Sequence, residues 1–102
     1  MRAMRLLLLI LVIPIQAFAE DLYVAQSAAG FDNGSSCANA HRATWFNNAE
    51  NWSFGTGRIS AGDMVHLCGT ITTALHVQGS GSSGSVITIF FETGAQISPS
   101  LC

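Results

Sequence analysis

The sequence predicts a small, mainly β domain in which a short helix precedes one to two coils of a β-solenoid, with the last coil incomplete. Apolar and polar residues alternate in residues 64–68 and again in 71–77, which is typical of strands with one buried face. Apolar positions also recur 22 residues apart, as Val65 and Ile87 do. A repeat of about 20 to 25 residues indicates stacked coils. An antiparallel meander is the alternative that strand spacing alone leaves open.

The first 19 residues have the pattern of a signal peptide. Residues 1–5 contain two arginines, residues 6–19 are uncharged, and Ala17-Phe18-Ala19 has the small residues of a cleavage site. The uncharged stretch is 14 residues long, and a membrane-spanning helix needs roughly 20. We therefore expect cleavage before Glu20, a secreted or extracytoplasmic location, and no stable membrane anchor after cleavage. The domain then covers residues 20–102.

The composition excludes two broad classes of protein. Hydrophobic residues make up 49% of the chain and charged residues 10%, which is too apolar a balance for a disordered chain. The net charge is −2, from 4 Lys+Arg against 6 Asp+Glu, and there is no lysine. Because no basic stripe is available to neutralise phosphates, we expect no nucleic-acid partner.

The exported part of the chain contains several predicted strands. Residues 22–25 form an opening strand, and residues 86–91 form a later one that is dense in β-branched and aromatic residues. Gly94 ends this strand, and residues 95–97 begin another. Alternation along the strands, together with the 22-residue recurrence, assigns seven apolar side chains to the core: Val65, Leu67, Leu75, Val77, Ile87, Ile89 and Ile97.

A short helix is predicted to begin after Thr44, which is a suitable N-cap. Trp45, Phe46, Ala49 and Trp52 then fall on one helical face. Such a face carries more apolar area than a two-turn helix leaves in water, so it must pack against another element.

Three cysteines follow the signal peptide. Cys37 and Cys68 flank the predicted helix, and in an oxidising compartment we expect them to form a disulfide that stabilises a small core. The alternative is a zinc site in which both cysteines act together with His41 and His66. Cys102 is left as the odd thiol, and its partner is not readable from the sequence.

Several segments, in order, resemble secreted right-handed parallel β-helix proteins of the pectate-lyase-like class. Residues 62–70, GDMVHLCGT, are similar to the opening motif of a coil in that class. Residues 77–89 look like the next coil, and residues 92–95, ETGA, resemble its corner. The resemblance extends over nearly all of residues 22–102.

The resemblance implies that the chain is the N-terminal cap and the first one to two coils of an exported right-handed parallel β-helix protein. The parent is then expected to bind or act on polysaccharide, as a lyase or a glycoside hydrolase. Its active groove would lie on later coils, so no catalytic residue is expected in this chain. The resemblance also implies that the predicted helix, with Trp45, Phe46, Ala49 and Trp52, caps the first coil. The alternatives are an enzyme of the polysaccharide lyase or hydrolase type and a small stand-alone secreted carbohydrate-binding module. An open C-terminal coil also predicts self-association.

No cofactor is expected, although two metals have candidate ligands. Asp32, Asn33, Asp63 and Glu92 are oxygen donors that calcium would accept, but turn formation explains the first two without an ion. Zinc has the cysteine and histidine set described above. Asn33 and Asn51 begin glycosylation sequons, whose use depends on the host.

Overall fold

The computed structural model describes residues 19–98. The predicted signal peptide, apart from Ala19, and Cys102 lie outside the described residues. The elements in chain order are β1 (Asp21–Ala25), β2 (His41–Arg42), α1 (Ala43–Phe46), β3 (Met64–Cys68), β4 (Thr70–Ile71), β5 (Thr88–Phe91) and β6 (Gln96–Ile97). Two single 3-10 turns span Cys37–Asn39 and Ala49–Asn51. Within residues 19–98, no helix has the length and the hydropathy that crossing a membrane requires.

The strands form two parallel sheets. The larger sheet has the order β2-β1-β3-β5, and the smaller one pairs β4 with β6. Strand β3 is central, with Val65 beside Leu22 of β1 on one side and beside Ile89 of β5 on the other. Because parallel neighbours are distant in sequence, long connections between the strands must find hydrogen bonds of their own.

The predicted β-solenoid is wrong. Among residues 19–98 the structure is a small α/β-like arrangement of one four-stranded parallel sheet, one short sheet and little helix, and no stacked coil is evident. The 22-residue spacing does not describe the pairing, since Val65 lies beside Ile89 and Ile71 lies beside Ile97. Counting residues between apolar positions misleads here because the loops, and not the strands, set the distance along the chain between partners. The antiparallel meander is excluded as well.

The core lies on one face of the large sheet. Alternate residues of β1 and β3 point to this face, and their side chains are at most 4% exposed: Leu22, Val24, Val65 and Leu67. Other buried apolar residues from α1, β4 and the loops complete it: Ala43, Phe46, Trp52, Ile59 and Ile71. Phe46 and Trp52 pack edge to face with ring centroids 5.0 Å apart, a geometry that aromatic pairs favour.

The predicted continuous helix is replaced by two separate turns. The first, α1, has only four residues. The second is the separate 3-10 turn Ala49–Asn51, at whose start the Asn48 side chain accepts a hydrogen bond from the backbone N–H of Glu50. Asparagine competes in this way with helix propagation. The expected single face is therefore divided, with Phe46 and Trp52 in the core, Trp45 half-buried and Ala49 exposed.

The predicted strand over residues 71–77 is also wrong beyond Ile71. Its backbone is bound by side-chain amides, since Gln26 accepts from the N–H groups of Thr72 and Thr73 and Asn47 bonds to Ala74 and His76. These bonds satisfy the backbone without a neighbouring strand.

The seven predicted core residues are accordingly divided. Val65 and Leu67 are buried, whereas Leu75, Ile87 and Ile89 are partly buried against the core; Val77 is 66% exposed and Ile97 is 39% exposed.

The predicted disulfide between Cys37 and Cys68 is confirmed, with the two Cα atoms 5.8 Å apart. It joins the 3-10 turn that precedes β2 to the last residue of β3. Both cysteines of the alternative zinc set are therefore used in this bond. The loop that follows β1 is thereby fixed covalently to the central strand.

Truncating a core side chain should lower the stability of the domain strongly, whereas truncating an exposed side chain should not. Leu67→Ala is expected to lower the free energy of unfolding by about 2–5 kcal/mol, because it leaves a cavity in the centre of the sheet. The control Phe54→Ala, at a side chain that is 73% exposed, should change it by about 0.5 kcal/mol or less. Urea unfolding followed by tryptophan fluorescence measures both, and equal effects would contradict the described core.

Removing the disulfide should also destabilise the domain. The bond spans 31 residues of sequence, and closing a loop of this size restricts the unfolded chain by about 3–4 kcal/mol. A variant with Cys37→Ser and Cys68→Ser should therefore unfold at a clearly lower urea concentration. Cys102→Ser, which keeps the bond, is the control, and an unchanged midpoint in the double variant would be the contrary result.

Candidate functional site

The outer edge of β5 has backbone groups that no other strand within residues 19–98 uses. The N–H groups of Thr88 and Glu92 donate to the carbonyls of Asp63 and Leu67, each at 3.0 Å. Residues of a parallel strand alternate in the side to which their backbone groups point. The N–H and C=O groups of Ile89 and Phe91 therefore point away from β3, toward the free side of the sheet.

Strand β6 repeats this arrangement in the small sheet. The N–H groups of Gln96 and Ser98 donate to Gly69 at 3.1 Å and to Ile71 at 2.8 Å, so the backbone of Ile97 points outward. Apolar side chains accompany these backbone groups, since Phe91 is 46% exposed and Ile97 is 39% exposed. We call the backbone and side chains of Ile89, Phe91 and Ile97 the open edge.

A shallow groove adjoins the open edge. Its volume is about 410 Å³, and apolar side chains and a Gly/Ser loop line it: Trp52, Val77, Gly79, Gly81, Ser82, Ser83, Val86, Ile87 and Ile89. The indole N–H of Trp52 already donates to the carbonyl of Phe46 at 2.6 Å. Trp52 therefore offers only its apolar ring to this groove, which extends the apolar character of the open edge.

His66 fastens β5 to the rest of the sheet from the face opposite the core. Its Nδ1 lies 2.5 Å from Glu92 Oε2, and its Nε2 lies 2.9 Å from Asp21 Oδ1. The ring stacks on Tyr23 with centroids 4.3 Å apart and meets Phe90 edge to face. These contacts follow from the register, which places Tyr23, His66 and Phe90 side by side on β1, β3 and β5.

The charge state of His66 follows from its two partners. A neutral imidazole can donate from only one nitrogen, whereas a protonated ring donates from both, so two carboxylates favour the imidazolium. Burial opposes this and by itself lowers the pKa of His66. The hydrogen bonds to Asp21 and Glu92, with the charges of the same two carboxylates, outweigh burial, and the pKa of His66 is raised.

The other candidate ligands lie apart. The Asp32 carboxylate lies 2.9 Å from Nδ1 of His41, whose ring stacks on Trp45. Asp63 bonds to Ser60, and Glu92 to His66. In the part of the chain that the structure describes, no three His, Cys, Asp or Glu side chains are grouped to hold a metal ion.

The partners of His66 could not be found from local sequence. Asp21 and Glu92 are 45 and 26 residues from His66, and only the parallel pairing brings them together. The alternation in residues 64–68 does place His66 opposite the core. The missing information was which two strands lie on either side of β3.

Comparison with protein-family models, with curated proteins and with solved structures gave no match. The resemblance noted in the sequence therefore has no support from a relative.

His66 should make stability depend on pH. A group whose pKa is raised by folding stabilises the fold fully below its unfolded pKa, near 6.5, and this contribution is lost as the pH rises through the folded pKa. The stability that His66 contributes in the wild type should thus fall as the pH rises above about 6.5. His66→Gln should flatten that fall, whereas His76→Gln, at an exposed side chain, should not. Urea midpoints over a series of pH values measure the difference, and parallel curves for wild type and His66→Gln would contradict the assignment.

Proposed function

We propose that this chain is an exported structural module that forms the end of a larger parallel-sheet protein and pairs with a further strand through its open edge. The observation that carries the proposal is the outward direction of the backbone groups of Ile89, Phe91 and Ile97. Unpaired strand groups beside exposed apolar side chains are a template for another strand.

The geometry of β5 specifies what kind of strand would fit. Leu22, Val65 and Ile89 lie in one row across the sheet, and Val24, Leu67 and Phe91 lie in the next. A strand added beside β5 would extend both rows, so it needs apolar side chains two residues apart on its core side. Its outer side would continue the row that ends in Phe90.

The opposite edge of the sheet is not equivalent. Strand β2 has only two residues, and α1 follows it directly. The N–H of Ala43 still donates to the carbonyl of Gln26 at 3.5 Å, and the pairing with the β1 segment ends there because α1 begins at this residue. A short edge strand of this kind offers little for pairing. The asymmetry supports a module that closes one end and adds strands at the other.

Export is part of the proposal. The Cys37–Cys68 disulfide is compatible with an extracellular compartment, and the signal-peptide pattern in the sequence supports secretion. Polysaccharide as the ligand of the parent stays a prediction that rests on the resemblance alone, as does the absence of catalytic residues from this chain.

The test is association of the exported chain, made in a Cys102→Ser background so that thiol cross-linking does not contribute. An edge without its partner strand should pair with other copies as concentration rises. Phe91→Lys should reduce this association by charge repulsion at the edge, whereas Phe54→Lys, an equally polar change at an exposed site elsewhere, should not. Sedimentation velocity over a concentration series measures the effect.

Hydrogen exchange provides the matching local measurement. In the dissociated chain, the amides of Ile89 and Phe91 should exchange faster than those of Thr88 and Glu92, which donate to carbonyls of the β3 segment. Association should slow the first pair. A monomer at all concentrations in which Ile89 and Phe91 are already protected would contradict the proposal.

A further inference from the structure

Asp63 is a buried carboxylate that lacks a positive partner in the described part of the chain. Asp63 is 1% exposed and lies in the turn before β3. Oδ2 accepts hydrogen bonds from the Ser60 backbone N–H at 2.8 Å and from the Ser60 hydroxyl at 3.1 Å. Among residues 19–98, every ion pair involves His41 or His66, and none involves Asp63. A buried charge ordinarily requires a paired opposite charge.

The second carboxylate oxygen of Asp63 accepts a hydrogen bond from the Glu20 nitrogen, which lies at the expected cleavage site. Oδ1 accepts from the backbone nitrogen of Glu20 at 2.8 Å, and the peptide bond of this nitrogen to Ala19 is the one that the Ala17-Phe18-Ala19 pattern marks for hydrolysis. In the uncut chain this nitrogen is a neutral amide. After the cut it becomes the α-amino group of the mature protein.

We propose that removal of the signal peptide creates a buried salt bridge between the new α-ammonium of Glu20 and the carboxylate of Asp63. A signal endopeptidase and one water molecule supply the step. The bond between the Ala19 carbonyl carbon and the Glu20 nitrogen breaks, Ala19 leaves as a carboxylate, and the nitrogen takes up protons to become –NH₃⁺. Processing thus adds the positive charge that the Asp63 site lacks.

The position of the Glu20 nitrogen does not depend on residues before it. The Glu20 carbonyl accepts a hydrogen bond from the Met64 N–H at 2.9 Å, and the Glu20 carboxylate accepts from the Gly57 N–H at 3.1 Å. Both contacts persist when Ala19 is gone, so the nitrogen stays beside Asp63. The second contact also holds the Glu20 carboxylate away from its own amine, which disfavours cyclisation to pyroglutamate.

The salt bridge would sit where three strands begin. Asp63 directly precedes β3, Glu20 directly precedes β1, and the backbone carbonyl of Asp63 accepts the N–H of Thr88, the first residue of β5. The processed N-terminus would thereby be fixed to the central sheet. The inference rests on the export part of the proposed function and is independent of the open edge.

The absence of lysine gives a clean test, because the α-amine is then the only primary amine of the mature chain. The full-length gene is expressed with its leader, the exported protein is treated with an amine-reactive ester under native conditions, and the labelling rate is followed by intact mass. Four proteins are compared: wild type, Asp63→Asn, Ser60→Ala, and a variant with one glycine inserted between Ala19 and Glu20.

In the insertion variant, cleavage after Ala19 leaves the amine one residue away from Asp63, while the Glu20 amide keeps its hydrogen bond. Wild type should label at least about tenfold more slowly than this variant, since each unit by which pairing raises the amine pKa lowers the reactive fraction tenfold. Ser60→Ala keeps the charge of Asp63 and should stay slow. Asp63→Asn should be fast, and circular dichroism checks that it is folded.

The outcomes separate the two proposals. Equal labelling rates in wild type and the insertion variant would overturn the salt bridge, even with export intact. An exported protein whose mass shows another N-terminus would overturn it as well, together with the predicted cleavage site. Neither result depends on the association experiments at the open edge.

Discussion

The parallel pairing of β3 with both β1 and β5 is the constraint on which the rest of the structure depends. One strand of five residues supplies Val65 and Leu67 to the core, and on its other face His66 to a ladder with Tyr23 and Phe90. Because its neighbours come from chain segments on either side of it in sequence, the loops are long and must be organised without regular structure.

Side-chain amides perform much of that organisation. Gln26 and Asn47 bind the backbone of residues 72–76, Asn48 caps the second 3-10 turn, and Asn51 donates to the carbonyl of Trp45 at 2.9 Å. Such bonds replace helix and strand hydrogen bonds in the described residues, which contain little helix. They also explain why none of the apolar residues between Ile71 and Thr88 is fully buried, since no continuous sheet carries them into the core.

Local pattern was sufficient for some features and not for others. An aromatic and a β-branched residue indicated β1, alternation located β3, and the two cysteines flanking the helical segment indicated the disulfide. The register was beyond reach, because a spacing of 22 between apolar residues could not reveal that Ile89 and not Ile87 lies beside Val65. Without the register, the two carboxylates that bind His66 could not be identified, because one comes from β1 and the other from the residue after β5. Helix prediction failed where the asparagines following Phe46 offered the backbone better local partners.

Under the export proposed for this chain, the covalent link between Cys37 and Cys68 has a consequence for the order of assembly. Every buried apolar side chain of the described residues belongs to the segment that ends at Ile71, and both bonded cysteines lie within it. A chain that enters an oxidising compartment from its N-terminus therefore brings in its core and its cross-link before β5 arrives. The early segment can oxidise and fold first, and β5 then docks on a surface that is already formed. Strands would then join the sheet in the order in which they are translocated, and each new strand would be added at the open edge.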